Sequence, residues 1–225
     1  RSRIMRNILL IGNTGGVGSA IQAAWQMRGD AVMGLSRQTD GFDITNETVV
    51  ERMLEAIETR FDVVFIATGG LETENSQPEK SLSDLSKGAF QEQFLINAIG
   101  PALILKHAPK LLHRDRATII ATLSARVGSI GDNLLGGWYS YRASKAALNQ
   151  IVHSAAIELS RTRPKSICIA LHPGTVKTAL TQKYVGKHPA VSPAEAAKNL
   201  LNVMDGLCQE DTGLFFDWAG KRIDW

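Results

Sequence analysis

The stretch that decides the fold is Ile8-Leu9-Leu10-Ile11, followed directly by Gly12-Asn13-Thr14-Gly15-Gly16-Val17-Gly18. The apolar run predicts a short buried strand, and the periodicity after the glycines predicts a helix over residues 18–28. Small residues between a strand and a helix let the backbone approach a pyrophosphate, which the N–H groups and dipole of the helix amino terminus stabilise. The stretch therefore predicts a nucleotide-binding turn at residues 12–18. The alternative is a tight turn that uses its glycines for conformation alone.

Short apolar runs alternate with helical patterns along the rest of the chain. After the strand at 8–11, further strands are predicted at Ala31–Leu35, 63–67, Thr118–Leu123, 166–171 and 214–217. Helices are predicted at 47–59, 86–112, 141–162 and 193–207. Continuous apolar strands separated by helices are typical of a parallel sheet covered on both faces. The pattern predicts one Rossmann-type, doubly wound α/β domain over residues 1–225, with ligands bound beyond the carboxyl ends of its strands.

Three irregular stretches follow predicted strands, at 72–85, 126–137 and 176–191. Because the carboxyl ends of parallel strands meet at one edge of a sheet, we expect these stretches to crowd that edge. The chemistry of the protein is expected there.

The composition is that of an ordinary globular protein, with 44% hydrophobic and 21% charged residues. The net charge is +3, from 25 basic and 22 acidic residues dispersed along the chain, so we expect neither nucleic acid nor a membrane as partner. No apolar run approaches the roughly 20 residues that span a bilayer. Cys168 and Cys208 lack metal-ligand spacing, so we expect no metal, no disulfide and a reducing cytoplasm. We expect Met5 to be the natural first residue and residues 1–4 to lie outside the fold.

The second predicted strand ends in Leu35-Ser36-Arg37, without the carboxylate that usually binds the adenosine ribose hydroxyls. A carboxylate would repel a 2′-phosphate, whereas the Arg37 guanidinium can pair with it through two hydrogen bonds, and Ser36 adds a hydroxyl. These residues favour NADP(H) as cofactor, with NAD(H) still usable. A solvated surface arginine is the alternative.

Tyr141 and Lys145 lie four residues apart in a predicted helix and therefore share one face of it. The phenol and the ammonium can point into one cavity. A nearby cation favours the phenolate, so we expect a lowered pKa for Tyr141 that suits proton transfer. Taken alone, a Tyr-x-x-x-Lys pair is common and usually structural.

Together these motifs resemble the short-chain dehydrogenase/reductase family, classical type, over essentially the whole chain. The residues that carry the resemblance are Gly12-x-x-x-Gly16-x-Gly18, Tyr141-x-x-x-Lys145, the Pro173-Gly174 turn and, in part, Ala67-Thr68-Gly69. The segments 126–130 and 136–141 and the aromatic ending at 213–225 resemble the subgroup of bacterial C-factor signalling proteins and sniffer-type carbonyl reductases.

The resemblance implies a catalytic set of Asn97, Ser124, Tyr141 and Lys145. Tyr141 is then the acid/base, Lys145 also binds the nicotinamide ribose, and Asn97 holds a water that links Lys145 to solvent. Ser124 donates a hydrogen bond to the substrate oxygen. Ser124 ends a strand but lies 17 residues before Tyr141, longer than the family's usual spacing; Ser129, 12 residues before Tyr141, is the alternative.

The cofactor contacts predicted from the turn and implied by the resemblance are Gly12, Thr14, Gly15, Gly16, Val17, Gly18, Ser36, Arg37, Asp43, Ile44, Ala67, Gly69, Asn97, Tyr141, Lys145, Pro173, Gly174, Val176 and Thr178. Asp43-Ile44 would lie beneath the adenine, or would instead form the entry to the next helix. Relatives that prefer NADP often carry a second basic residue where this chain has Gly15, so the preference depends on Arg37. We expect His172 to be packed rather than catalytic.

These predictions describe an NADP-dependent oxidoreductase that transfers a hydride between a nicotinamide and a small carbonyl or alcohol substrate. A nucleotide-binding signalling or regulatory protein with incidental turnover is the alternative. A sugar-nucleotide epimerase is disfavoured because the chain leaves no room for a second domain. The substrate segment would include Tyr184 and His188. The helices at 86–112 and 141–162 often pair between subunits in the family, which implies a homodimer or homotetramer.

Overall fold

Six parallel strands form the centre of the structure, a computed structural model that describes residues 5–74, 77–179, 181–184 and 190–225. The strands are β1 (Asn7–Ile11), β2 (Ala31–Leu35), β3 (Val63–Ile66), β4 (Thr118–Leu123), β5 (Ser166–His172) and β6 (Phe215–Asp217). Residues 1–4 and His188 lie outside the described residues. The six strands confirm the six apolar runs read from the sequence, with bounds shifted by one residue or less.

The strand order is β2-β1-β3-β4-β5-β6, and every neighbouring pair is parallel. The order reverses at β1, which pairs with β2 on one side and with β3 on the other. A crevice for a ligand forms at such a reversal, outside the carboxyl ends of the two strands. Those ends are Ile11 and Ile66, so residues 12–18 and 67–70 face each other across the crevice.

Helices cover both faces of the sheet. They are α1 (Gly16–Met27), α2 (Arg37–Asp40), α3 (Glu47–Glu55), α4 (Lys87–Phe94), α5 (Gly100–Lys106), α6 (Ala108–Leu111), α7 (Tyr139–Thr162) and α8 (Pro193–Asp205). Alternate residues of β1 enter different cores: Leu9 packs with residues of α3, α5 and α7, and Leu10 with residues of α1 and α8. The doubly wound Rossmann-type prediction is confirmed.

The prediction of one helix over residues 86–112 is wrong in its continuity. The segment divides into α4, a π-helical turn at Leu95–Ile99, α5 and α6. Pro101 and Pro109 stand near the starts of α5 and α6, where a missing backbone N–H costs least. The π-helical turn contains Asn97, and such turns occur often at functional sites.

The sequence prediction also missed α2, the four-residue helix that begins at Arg37. Ser36 starts this helix because its hydroxyl accepts a hydrogen bond from Thr39 N, and Gly41 ends it in the left-handed region at φ 68°. Arg37 is therefore the first residue of a helix rather than the end of a strand.

Cys168 is buried, Cys208 is exposed, and both are free thiols. Within the described ranges, no helix is both long and apolar enough to span a membrane. The same residues contain no group of three or more His, Cys, Asp or Glu side chains placed to hold a metal ion.

Candidate active site

The glycine turn between β1 and α1 is built by close approaches of the backbone. Gly12 takes a φ of +87°, and its N–H donates to Leu35 O at 2.7 Å. A Cβ on Gly18 would lie 2.1 Å from Gly12 O, so no other residue fits there. Gly15 starts α1 without a side-chain cap, which leaves the amides of the first turn without a side-chain partner.

The residues around this turn fit a dinucleotide. Thr178 reaches the turn from beyond β5, since a Cβ on Gly16 would lie 2.6 Å from Thr178 Cγ2. Asn13 Oδ1 and Thr68 Oγ1 are buried beside the turn without a hydrogen-bond partner among the described residues. Buried acceptors and donors of this kind usually have partners, and a bound dinucleotide is rich in both.

The residues after β2 are engaged in local structure. The hydroxyl of Ser36, besides capping α2, lies 2.7 Å from Thr39 Oγ1. Arg37 is exposed and forms no ion pair in the part of the chain that the structure describes. Asp43 accepts from Thr45 N and Oγ1 at 2.9 and 2.7 Å, and the Thr45 hydroxyl chiefly lowers the pKa of this carboxyl.

The alternative interpretation of Asp43-Ile44 as a helix entry describes part of what is seen. Asn46 caps α3 by accepting from Val49 N, and the Asp43 hydrogen bonds shape the turn before it. Ile44 is buried against Gly100, where a Cβ would come within 2.8 Å of the Ile44 side chain. A contact of Asp43 and Ile44 with the adenine stays a prediction.

Tyr141 and Lys145 share a face of α7 near its start, as predicted. The Lys145 Nζ lies 6.0 Å from the centre of the Tyr141 ring and donates to Leu123 O, at the end of β4, at 3.1 Å. Lys145 is 3% exposed. Two glycines leave space for Lys145. A Cβ on Gly69 would lie 3.2 Å from Nζ, and a Cβ on Gly128 would lie 2.8 Å from the Lys145 backbone.

Burial dominates the charge states of this pair. It lowers the pKa of Lys145 from 10.5 to about 8 and raises the pKa of Tyr141 from 10.0 to about 12. The prediction of a lowered pKa for Tyr141 is therefore wrong for this structure. The ammonium is itself desolvated, so the cost of burying a phenolate outweighs its attraction.

Asn97 is completely buried, and its amide is saturated by protein groups. Its Oδ1 accepts from Gly70 N at 2.9 Å, and its Nδ2 lies within hydrogen-bond distance of Gly70 O, Gln93 Oε1 and Ser144 Oγ. The side chain therefore ties the loop after β3 to α4 and α7.

Ser124 directly follows β4, but its hydroxyl turns toward the middle of α7. It donates to Asn149 Oδ1 at 2.6 Å, and no hydrogen bond joins it to Tyr141 within the described residues. Ser129 is also buried; its Oγ accepts from Asp132 N at 3.2 Å, which leaves its own proton free to donate. The structure thus brings Tyr141, Lys145 and the Asn97 side chain together. It leaves Ser124 and Ser129 as alternative donors of a hydrogen bond to the substrate oxygen.

Aromatic side chains form a wall beside Tyr141. The Trp138 ring meets the Tyr141 ring edge-on at 6.1 Å and the Tyr184 ring at 5.5 Å. The Tyr184 hydroxyl donates to Glu72, which Lys183 also pairs with at 3.0 Å. These contacts join the segment after β5 to the loop after β3, beside the start of α7.

The chain leaves β5 through a glycine in the left-handed region. Gly174 takes a φ of +79° and lies against the Trp218 ring, and Val176 bridges to Val191. His172 is largely buried, and this burial lowers its pKa to about 4. A histidine that stays neutral and enclosed agrees with the packed role expected for it.

Sequence reasoning missed several residues that hold the site together. They are Gln93 and Ser144 on Asn97, Asn149 on Ser124, Gly128 against Lys145, and Glu79, which contacts the start of α7. The polar residue four positions before Asn97 was a readable signal for Gln93. The other contacts join segments far apart in sequence and leave no local pattern.

The chain is similar to known proteins over most of its length. A family model described as Enoyl-(Acyl carrier protein) reductase matches residues 24–206. The 1-hydroxy-2-glutathionyl-2-methyl-3-butene dehydrogenase of Rhodococcus sp. (strain AD45) is 29% identical over 98% of this chain and 100% of its own length. The C-signal protein of Myxococcus xanthus is 35% identical over 64% of this chain and 84% of its own length. The NADPH-bound carbonyl reductase from chicken fatty liver has a similar fold, with a TM-score of 0.83 at 19% identity, covering 98% of this chain and 94% of that one.

The matched model covers most of the chain, so the protein belongs to the short-chain dehydrogenase/reductase family. It is an oxidoreductase, and the family prediction made from its motifs is confirmed. The similarity to C-signal confirms the predicted subgroup.

Replacing Lys145 with methionine should reduce the rise of stability with pH. Between the folded pKa of about 8 and the unfolded value of 10.5, the unfolded chain binds a proton at Lys145 that the folded chain does not. The free energy of unfolding therefore rises with pH in this window. From pH 8 to about 10, this group contributes a rise of about 2 kcal/mol to the wild type, which Lys145→Met should lack.

Urea unfolding at a series of pH values measures this difference. Lys198→Met is the matched control, because Lys198 is exposed on α8 and should leave the rise unchanged. An equal rise in Lys145→Met and wild type would contradict the desolvation of Lys145.

Proposed function

We propose that the protein is an NADP(H)-dependent carbonyl reductase with Tyr141 as its acid/base. The observation that carries the proposal is the pairing of a half-buried Tyr141 with a buried Lys145 at the same sheet edge as a glycine turn that fits a dinucleotide. The NADPH-bound chicken carbonyl reductase, which shares the fold, supports the choice of cofactor. The reaction is hydride transfer between a nicotinamide and a small carbonyl or alcohol substrate.

The cofactor would be held by groups from four segments at the carboxyl edge of the sheet, which follow β1, β2, β3 and β5. The residues at 12–18 bind its pyrophosphate through backbone N–H groups, and Arg37 binds the 2′-phosphate. Gly69 and Thr178 line the crevice on either side of the turn. When bound, the nicotinamide supplies or accepts the hydride.

Tyr141 donates a proton to the substrate oxygen. With a pKa of about 12, its phenol is protonated at neutral pH, which is the form that carbonyl reduction uses. The same argument makes alcohol oxidation the harder direction at neutral pH, because that direction needs the phenolate. Lys145 holds a positive charge 6.0 Å from the ring and favours the phenolate once the proton has left.

Reprotonation of Tyr141 passes through Lys145 and a water at Asn97. The Asn97 amide is already saturated, so its main-chain carbonyl is the group that holds the water. The residue four positions after Asn97 is Pro101, which has no N–H, so the Asn97 carbonyl lacks its usual helical donor.

Ser124 donates a hydrogen bond to the substrate oxygen in this proposal. To do so its proton must turn from Asn149 Oδ1 toward the substrate, because a hydroxyl has one donor. Ser129 needs no such change, and a direct comparison of the two serines decides between them.

The signalling alternative gains no support from the geometry, because a binding module has no need of a phenol paired with a buried ammonium. Assembly into a homodimer or homotetramer stays part of the proposal. It is supported by apolar side chains that remain exposed on the outer helices, at Leu95, Ile99 and Ile157. The reducing cytoplasm is the proposed compartment, supported by two free thiols.

Tyr141→Phe should lower kcat at least about 100-fold, because it removes the proton donor and keeps the ring. NADPH oxidation against a panel of aldehydes, ketones and quinones measures the effect. Tyr139→Phe is the matched control, since its i+4 neighbour is Ala143 and it should keep near wild-type activity. Undiminished turnover in Tyr141→Phe would overturn the mechanism.

Ser124→Ala should lower kcat about 100-fold, the usual cost of losing one donor to a developing oxyanion. Ser129→Ala should change kcat less than threefold in the same assay. Unfolding midpoints of both variants check that the loss of the Asn149 contact has not simply unfolded the protein. A larger loss in Ser129→Ala would transfer the role to Ser129.

Arg37→Asp should reverse the cofactor preference. A lost charge-assisted pairing and a new repulsion of the 2′-phosphate should lower the ratio of kcat/KM for NADPH to that for NADH by about 10-fold or more. Arg52→Asp, an exposed site on α3, makes the same change in net charge and should leave the ratio unchanged. An unchanged ratio in Arg37→Asp would contradict the assignment.

A further inference from the structure

The chain enters α7 through an unusual backbone conformation. Gly136, Gly137 and Trp138 follow one another in the left-handed region, with φ values of 66°, 66° and 51°. A residue with a side chain such as Trp138 rarely adopts a positive φ. Within the described ranges, Trp138 is the one non-glycine residue that does. Such a conformation persists only where neighbouring groups hold it.

The first turn of α7 also lacks a cap of its own. Trp138 occupies the N-cap position without a side-chain hydrogen bond, and no acidic residue stands in the first turn. Helix starts without caps leave N–H groups unsatisfied and fray. Tyr141, the proposed acid/base, lies within this first turn.

Glu79, from the loop after β3, supplies what this helix start lacks. Its backbone carbonyl accepts from Trp138 N at 2.6 Å, and its carboxylate Oε2 accepts from Ser140 N at 3.2 Å. One residue thus holds the strained Trp138 and caps α7 immediately before Tyr141. A carboxylate at this end of a helix is also favoured by the helix dipole.

The position of Glu79 is costly for a carboxylate. The residue is 4% exposed, and its Oε1 is buried with no hydrogen-bond partner among the described residues. An apolar side chain would avoid this desolvation. The hydrogen bond to α7 is the contact that an apolar side chain could not make.

We propose that Glu79 is a positioning residue for the reaction, which caps α7 from outside the helix and holds the Tyr141 phenol in place relative to Lys145. The inference rests on the proposed function, because it acts through Tyr141. Glu79 contacts the residue before Tyr141 and does not need to touch the substrate. Its contribution is therefore to the rate of proton transfer and not to cofactor affinity.

Variants of Glu79 in the full chain test the inference. Glu79→Ala should lower kcat about 10- to 100-fold, as small misplacements of catalytic groups do, while the Kd for NADPH stays within twofold. Glu79→Gln keeps an acceptor oxygen and should restore kcat to within about threefold of wild type. Glu74→Ala removes an exposed carboxylate of the same loop and should change neither quantity.

A double variant shows whether Glu79 acts through Tyr141. Glu79→Ala combined with Tyr141→Phe should be no slower than Tyr141→Phe alone, because the phenol it positions is gone. If Glu79→Ala does not fold, Glu79→Asp takes its place, since the shorter side chain withdraws the acceptor from Ser140.

Each outcome has one meaning. Wild-type kcat in Glu79→Ala or its substitute, failure of Glu79→Gln to rescue, or a full further loss in the double variant would overturn the inference. An inactive Tyr141→Phe with unaffected Glu79 variants refutes the positioning role alone. A fully active Tyr141→Phe refutes the proposed function itself.

Discussion

Lys145 brings an ammonium group into a place where only 3% of the residue is exposed, and one backbone carbonyl, Leu123 O, lies 3.1 Å from it. The cost of desolvation lowers the pKa of Lys145 to about 8. Little space remains around this side chain. A side chain at position 128 would collide with the Lys145 backbone, and one at position 69 would press on its Nζ, so both positions favour glycine. The loop after β3 and the loop after β4 are therefore both shaped by the burial of one side chain.

The same burial sets the chemistry of Tyr141. In this environment a phenolate is unfavourable, and the pKa of about 12 keeps the phenol protonated. The protonated phenol holds a proton that it can donate. The Lys145 ammonium would then stabilise the phenolate that remains. A network behind the pair, centred on the saturated amide of Asn97, holds Gly70, Gln93 and Ser144 in fixed relation. The site is thus positioned by polar contacts that lie behind the Tyr141–Lys145 pair.

Prediction from sequence succeeded where the signal was local. The strands followed from apolar runs, the turn between β1 and α1 from its glycines, and the shared helix face of Tyr141 and Lys145 from helical spacing. It failed where distant segments decide the outcome. The π-helical turn at Asn97, the use of the Ser124 proton by Asn149 and the raised pKa of Tyr141 all involve contacts across the fold.

The sequence by itself determined the fold class, the family and the placement of Tyr141 and Lys145 on one helix face, because periodicity, glycine spacing and i to i+4 geometry are properties of neighbouring residues. Only the tertiary structure decided how these groups are charged and what holds them. Desolvation depends on every atom packed around a side chain, and the capping of α7 by Glu79 joins residues 61 positions apart. The glycine turn needed eleven consecutive residues to be recognised, whereas the state of Tyr141 needed the packing of the protein around it.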